Sequence, residues 1–188
     1  HVGVVRLDDE GREAAGRAAR WLDGARGARV YASPLLRARR TAEILMENLP
    51  LPGFAPGTAP VPAPVPAVVD DLIELDLGEW EGESYDSLMK KDPDRMRRHY
   101  ANFVTSRPPG GESVADLSKR VLPAFSAARA GAAGEVVIVA GHAAVNRVIV
   151  CDALGIPLEN FFRIEVAHAS LCVIDYHGEL PVVRLLNG

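Results

Sequence analysis

The sequence predicts an α/β fold, a three-layer helix-sheet-helix sandwich built on a mostly parallel, mixed sheet. Three observations predict it. Val136 to Ala140 is a run of five apolar residues, mostly β-branched, as in a strand buried on both faces. Gly141 then permits a tight turn, and residues 143–154 have helical character that Gly155 and Pro157 bring to a stop. Strand-like segments alternate with helical ones before this unit, and two short strand candidates joined by a turn close the chain.

Taken in order, residues 1–7 are apolar with little pattern, and Asp8, Asp9 and Glu10 supply a cap and early negative charge for a helix running through Trp21 and Leu22. Val30 to Ala32 reads as a short strand. Ser33 is placed as the N-cap of the next helix, with Pro34 at its first position. Leu35, Leu36, Ala38, Ala42, Ile44 and Leu45 give that helix its buried side. Residues 50–68 carry Pro at positions 50, 52, 56, 60, 62, 64 and 66, which favours an extended spacer crossing the surface.

Residues 70–77 read as an extended segment with Leu72, Glu74 and Asp76 on one face and Ile73, Leu75 and Leu77 on the other. Trp80, between Gly78 and Gly82, reads as an anchor in a structured loop. Residues 84–100 are helical with a break at Asp92-Pro93, and His99 there is expected at the surface. Ser113 and Asp116 have the spacing of a capping box for a helix towards Arg129. Residues 170–175 and 181–185 read as two strands turned at His177-Gly178.

The 188 residues suffice for one domain with a full core, spanning 1–188. Lys and Arg number 21 against 25 Asp and Glu, a net charge of -4, so no broad basic field points to nucleic acid or an anionic membrane. No apolar run reaches transmembrane length and no signal peptide is visible, so the expected location is cytoplasmic. Cys151 and Cys172 lie in apolar contexts and are expected as free thiols. No Cys/His cluster has metal-ligand spacing, and no metal or cofactor is expected.

His142 stands where a buried strand ends and a helix begins. Ligands of open α/β sheets bind outside the carboxyl ends of the strands, and a helix N-terminus attracts anions. An imidazole there suits a phosphate; it equally suits a structural cap. Arg37 lies in the first turn of its helix, an unfavourable place for a cation, which argues against a purely structural role, although a surface arginine remains an ordinary alternative. Glu74 sits in the acidic segment, which also reads as a solvated face.

Five stretches settle between these readings when taken together: Leu7-Asp-Asp-Glu-Gly-Arg12, Ala32-Ser-Pro-Leu-Leu-Arg-Ala-Arg-Arg-Thr-Ala-Glu43, Leu72-Ile-Glu-Leu-Asp-Leu-Gly-Glu-Trp-Glu-Gly82, Pro108-Pro-Gly-Gly-Glu-Ser113 and Val139-Ala-Gly-His-Ala-Ala-Val-Asn-Arg147. In this order they resemble the histidine phosphatase superfamily, of phosphoglycerate-mutase-like fold. The resemblance implies phosphoryl transfer from a monoester to a histidine and then to water, or to another hydroxyl in the mutases. It implies that Arg37 and His142 hold the phosphoryl oxygens, that the backbone N–H of Ala143 adds a donor, and that Glu74 is the general acid and base. Arg and His supply the positive charge, so no metal is implied. The partner implied is a small phosphorylated metabolite, and the state a monomer or homodimer. Residues 142–147 and 159–163 are similar to the corresponding wording of alpha-ribazole-phosphate phosphatases.

The chain departs from the family in one respect. The family's signature is Arg-His-Gly on the first strand, carrying the histidine that becomes phosphorylated, and it occurs nowhere in these 188 residues. Arg98-His99-Tyr100 is no substitute, since no buried strand precedes it. Loss of a central strand would leave ladder groups unpaired, so the expectation is a nucleophile upstream of His1. Two alternatives stand beside hydrolysis: a phosphoglycerate-mutase-type transferase, and a non-catalytic module that binds a phosphate ligand or a protein. A dinucleotide-binding domain fits poorly, as no Gly-x-Gly-x-x-Gly follows a strand.

Overall fold

The computed structural model describes Glu13, residues 28–48 and residues 65–188. The helix expected through Trp21 and the proline-rich residues 50–64 lie outside this range. The fold is α/β. Strand β1 (Arg29–Ala32) lies between β2 (Ala67–Val68) and β3 (Val137–Ala140), and both pairs are parallel. Val30 faces Ile138 and Ala32 faces Ala140 in the ladder. Parallel neighbours require crossovers, and helix α1 (Leu36–Asn48) follows β1. The expected spacer therefore ends sooner than residue 68, because Ala67 and Val68 pair with Tyr31 and Ala32.

Helices cover both faces of the sheet. Val30, Ala32, Ile138 and Ala140 pack on Ala42 and Leu45 of α1. Val139 points the other way, as strand alternation demands, towards a larger core. That core gathers Leu117 and Val121 of α4 (Val114–Arg129) and Ala144, Val145, Val148 and Ile149 of α5 (Ala143–Leu154), with Leu72 and Phe161. Leu72, Leu117, Val121, Val145, Val148 and Phe161 are essentially inaccessible, and each such side chain stabilises by about 1.5–3 kcal/mol. Helix α5 is buried over most of its surface, which fits its largely apolar sequence.

In the chain between β2 and α4 come α2 (Tyr85–Lys91) and α3 (Pro93–Ala101), divided at Asp92-Pro93 as the sequence indicates. Asp92 closes the first helix and its side chain caps the second through the Arg95 N–H, with Pro93 at the first position, where no N–H is needed. The capping box is present: Ser113 Oγ accepts from Asp116 N–H, and the Asp116 carboxylate accepts from Ser113 N–H at 3.0 Å. The closing hairpin pairs β4 (Val173–His177) with β5 (Leu180–Leu185) as a separate antiparallel sheet. Cys151 and Cys172 are free thiols.

Three expectations are corrected. Helix α1 begins at Leu36, so Ser33 and Pro34 precede it; the Ser33 N–H is spent on Ala140 O at 3.0 Å, extending the sheet by one residue. Residues 70–72 form a 3₁₀ turn rather than extended chain, so the predicted two-face alternation fails: Leu72 is buried while Asp76 is exposed. His99 is partly buried, its Nδ1 3.2 Å from Ser106 Oγ and its ring edge-on to buried Trp80 at 4.8 Å. Among the described residues no helix is long and apolar enough to cross a membrane.

Candidate active site

Strands β1 and β3 end side by side, and the residues just past their ends meet. Ser33 follows Ala32; His142 follows Ala140 and Gly141, and is the N-cap of α5 with extended backbone. Its side chain makes no cap bond. Instead Nε2 lies 2.7 Å from Ser33 Oγ, and both residues are buried. Ser33 Oγ also accepts from Leu35 N–H at 3.3 Å, which leaves its own proton free to be donated to the imidazole. Burial, and then the positive charges of Arg37 and Arg120, pull the His142 pKa down to about 4. The ring is therefore neutral at physiological pH and serves as a hydrogen-bonding group rather than a fixed cation.

Glu74 reaches the same helix end. Its carboxylate accepts hydrogen bonds from the backbone N–H groups of Leu75, at 2.9 Å, and Ala144. Burial raises its pKa, and the two backbone donors and the charges of Arg37 and Arg147 oppose the rise. A carboxyl held up by burial beside cationic groups suits proton transfer, since it passes between protonated and ionised forms without leaving its donors.

Arg37 sits in the first turn of α1, where no acidic residue offsets it. No described residue forms a hydrogen bond or ion pair with its guanidinium, yet its field reaches both Glu74 and His142. The structure thus brings Arg37, Glu74, His142 and the α5 N-terminus, where Ala143 opens the helix, into one place. An arginine fork without a partner among the described residues, a buried imidazole and a helix N-terminus are groups whose chemistry suits an anion, with the Glu74 carboxyl beside them.

Three participants escaped the sequence reading. Ser33 reads from the sequence as a helix cap. Arg147 lies one turn beyond Ala143 on α5, donates from Nε to Ile164 O at 2.8 Å, lies over the Phe161 ring, and acts on Glu74. Its spacing of four from Ala143 was the available signal. Arg120 on α4 carried no signal beyond being a charge on an otherwise amphipathic helix. Among the described residues no three His, Cys, Asp or Glu side chains group as metal ligands.

A family model described as the histidine phosphatase superfamily (branch 1) matches residues 3–188. The chain belongs to that superfamily. The bifunctional protein Rv2228c of Mycobacterium tuberculosis is 30% identical over 187 residues, 98% of this chain and 48% of that protein, so the chain spans about half the length of this curated relative. Phosphoserine phosphatase 1 of Hydrogenobacter thermophilus is 28% identical over 158 residues, 84% of this chain and 69% of that enzyme. A crystal structure of a putative alpha-ribazole-5'-P phosphatase from Escherichia coli K-12 shares the fold, with a TM-score of 0.77 at 22% identity over 100% of this chain and 87% of that one. The phosphoglycerate-mutase-like architecture expected of a histidine phosphatase is therefore the observed one.

Proposed function

We propose that this histidine phosphatase domain hydrolyses a phosphomonoester of a small metabolite through a phosphohistidine, the nucleophilic histidine being supplied by a segment upstream of His1. The observation that carries the reading is the shared field of Arg37 around a partly buried Glu74 carboxyl and the buried His142 ring. Arg37 and His142 hold the phosphoryl oxygens, and the Ala143 N–H at the start of α5 adds a donor. As the P–O bond to the leaving group breaks, Glu74 gives its proton to the departing oxygen. Water then attacks the phosphohistidine, and Glu74 takes the proton that the water loses. Positive charge around the equatorial oxygens comes from side chains already in place, so the step needs no metal.

Alpha-ribazole phosphate is the first substrate to try, on the resemblance carried by residues 142–147 and 159–163. Phosphate release from monoesters by the full-length protein is the test. Glu74→Gln should lower the rate on alkyl phosphates by about 10²-fold or more, and much less on p-nitrophenyl phosphate, whose leaving group needs no proton. Equal losses on both would remove Glu74 from the acid role. Turnover only with a bisphosphate activator would move the protein to the mutase reading, and phosphate binding without turnover to the non-catalytic one.

A further inference from the structure

The guanidinium of Arg120 uses every donor it has. Nη1 donates to the carbonyls of Asp71 at 2.7 Å and Ile73 at 2.8 Å, Nη2 to the carbonyl of Glu74 at 3.1 Å and to Glu112 Oε1, and Nε to Glu112 Oε2 at 3.0 Å. Five N–H groups meet five acceptors, three of them on the main chain that carries Glu74. Glu112 completes the joint from the other side, accepting from Asp76 N–H at 3.0 Å, while its own N–H donates to Asp76 O at 2.9 Å. The loop of residues 108–112 presses so closely on this segment that a Cβ at Gly78 would stand 2.2 Å from Pro109 O.

We propose that Arg120 is a positioning residue for proton transfer: it bolts the backbone of residues 71–74 to α4 and so fixes the Glu74 carboxyl beside the proposed phosphate site at the start of α5. Arg120 has its own acceptors and is not free to take a substrate oxygen, which separates it from Arg37. Carbonyls bound to a planar fork at three points cannot rotate independently, so the peptide on either side of Glu74 is held in one orientation. Without the fork, the carbonyls of Asp71, Ile73 and Glu74 and the Glu112 carboxylate lose their fixed partners, and water, which already reaches the Asp71 and Ile73 sites, takes its place and lets the segment move. The Glu74 carboxyl would follow, away from Ala144 N–H.

The proposal rests on the general-acid reading of Glu74, and two readouts keep the failures apart. In the full-length protein, Arg120→Lys provides three donors in place of five and keeps the charge. It should lower kcat/KM on an alkyl phosphate at least about tenfold more than on p-nitrophenyl phosphate, because a misplaced catalytic group costs rate steeply, with the affinity for inorganic phosphate within about twofold. In a Glu74→Gln background the same substitution should leave that substrate ratio unchanged. Equal losses on both substrates, or a full further change in the Glu74→Gln background, would reduce Arg120 to a structural role and overturn the proposal. The second readout needs no turnover: the Glu74 carboxyl, followed by ¹³C NMR, should titrate lower in Arg120→Lys than in the wild type, as its burial is relieved. An unchanged titration overturns the proposal even where wild-type turnover is absent and the phosphatase reading has itself failed. Glu112→Gln, which removes the charged half of the joint but keeps its volume, should shift both readouts in the same direction and serves if Arg120→Lys does not fold.

Discussion

Acidification should unfold this domain partly through a single imidazole. His142 is buried against Ser33 and faces the charges of Arg37 and Arg120, and its pKa is drawn from 6.5 down to about 4. In the unfolded chain the same ring takes its proton near 6.5. Between these values the unfolded state binds a proton that the native state does not, so stability rises with pH from about 4 to about 6.5 and is level above. The gap corresponds to about 3 kcal/mol, or a shift of about 6–12 °C in Tm for a domain of this size. Asp and Glu side chains titrate in part of the same window, so the measurement is a difference. Urea denaturation at a series of pH values should give a shallower slope between pH 4 and 6.5 for His142→Asn than for the wild type. The lost Ser33 hydrogen bond enters as a constant offset and drops out of the slope. Parallel curves for the two proteins would refute the argument, since they would mean that the buried ring is not resisting protonation.

Two further outcomes follow from the geometry. Arg37→Ala should weaken binding of inorganic phosphate by at least about tenfold, the range of a lost charge-assisted fork, measured by calorimetry; unchanged affinity would remove Arg37 from the proposed site. Gly78→Ala and Gly82→Ala both force a side chain into the left-handed region, with φ of +55° and +75°. At Gly82 nothing lies within 4 Å, and the cost should be the conformational penalty alone, about 1–2 kcal/mol. At Gly78 the added carbon meets the backbone of Pro109 and Gly111, so thermal denaturation should show a distinctly larger loss, and similar losses at both would count against the tight loop contact.

What the sequence made legible was local. The strand at residues 137–140, the helix at 143–154 and the Ser113 capping box each announce themselves through neighbours a few positions away. The split at Asp92-Pro93 did the same. What stayed hidden depends on distant partners. The acceptors of Arg120 on residues 71–74 lie 46 to 49 positions away, and no periodicity encodes which of several arginines turns inward. His99 was misread because its burial comes from Trp80, nineteen positions earlier and on another element. Ser33 was misread in an instructive way: its sequence context is a good helix cap, but the sheet takes its N–H and His142 meets its hydroxyl, so the helix starts later. The candidate residues Arg37, Glu74 and His142 were found through motif resemblance, since each taken singly has an ordinary structural explanation.

The meeting of Ser33 and His142 bears on the order in which the chain folds. The two residues are 109 positions apart, and the registration of β1 on β3 sets their contact. A slip of one residue along that ladder would move one of them by about 3.3 Å and turn neighbouring side chains to the opposite face. The site therefore cannot exist in either half of the chain, nor in a collapsed state whose strands are paired out of step. Its assembly requires a long loop to be closed, with the entropy cost that closure carries. Binding competence at the proposed phosphate site becomes a sensitive report that the parallel sheet has closed in its correct register.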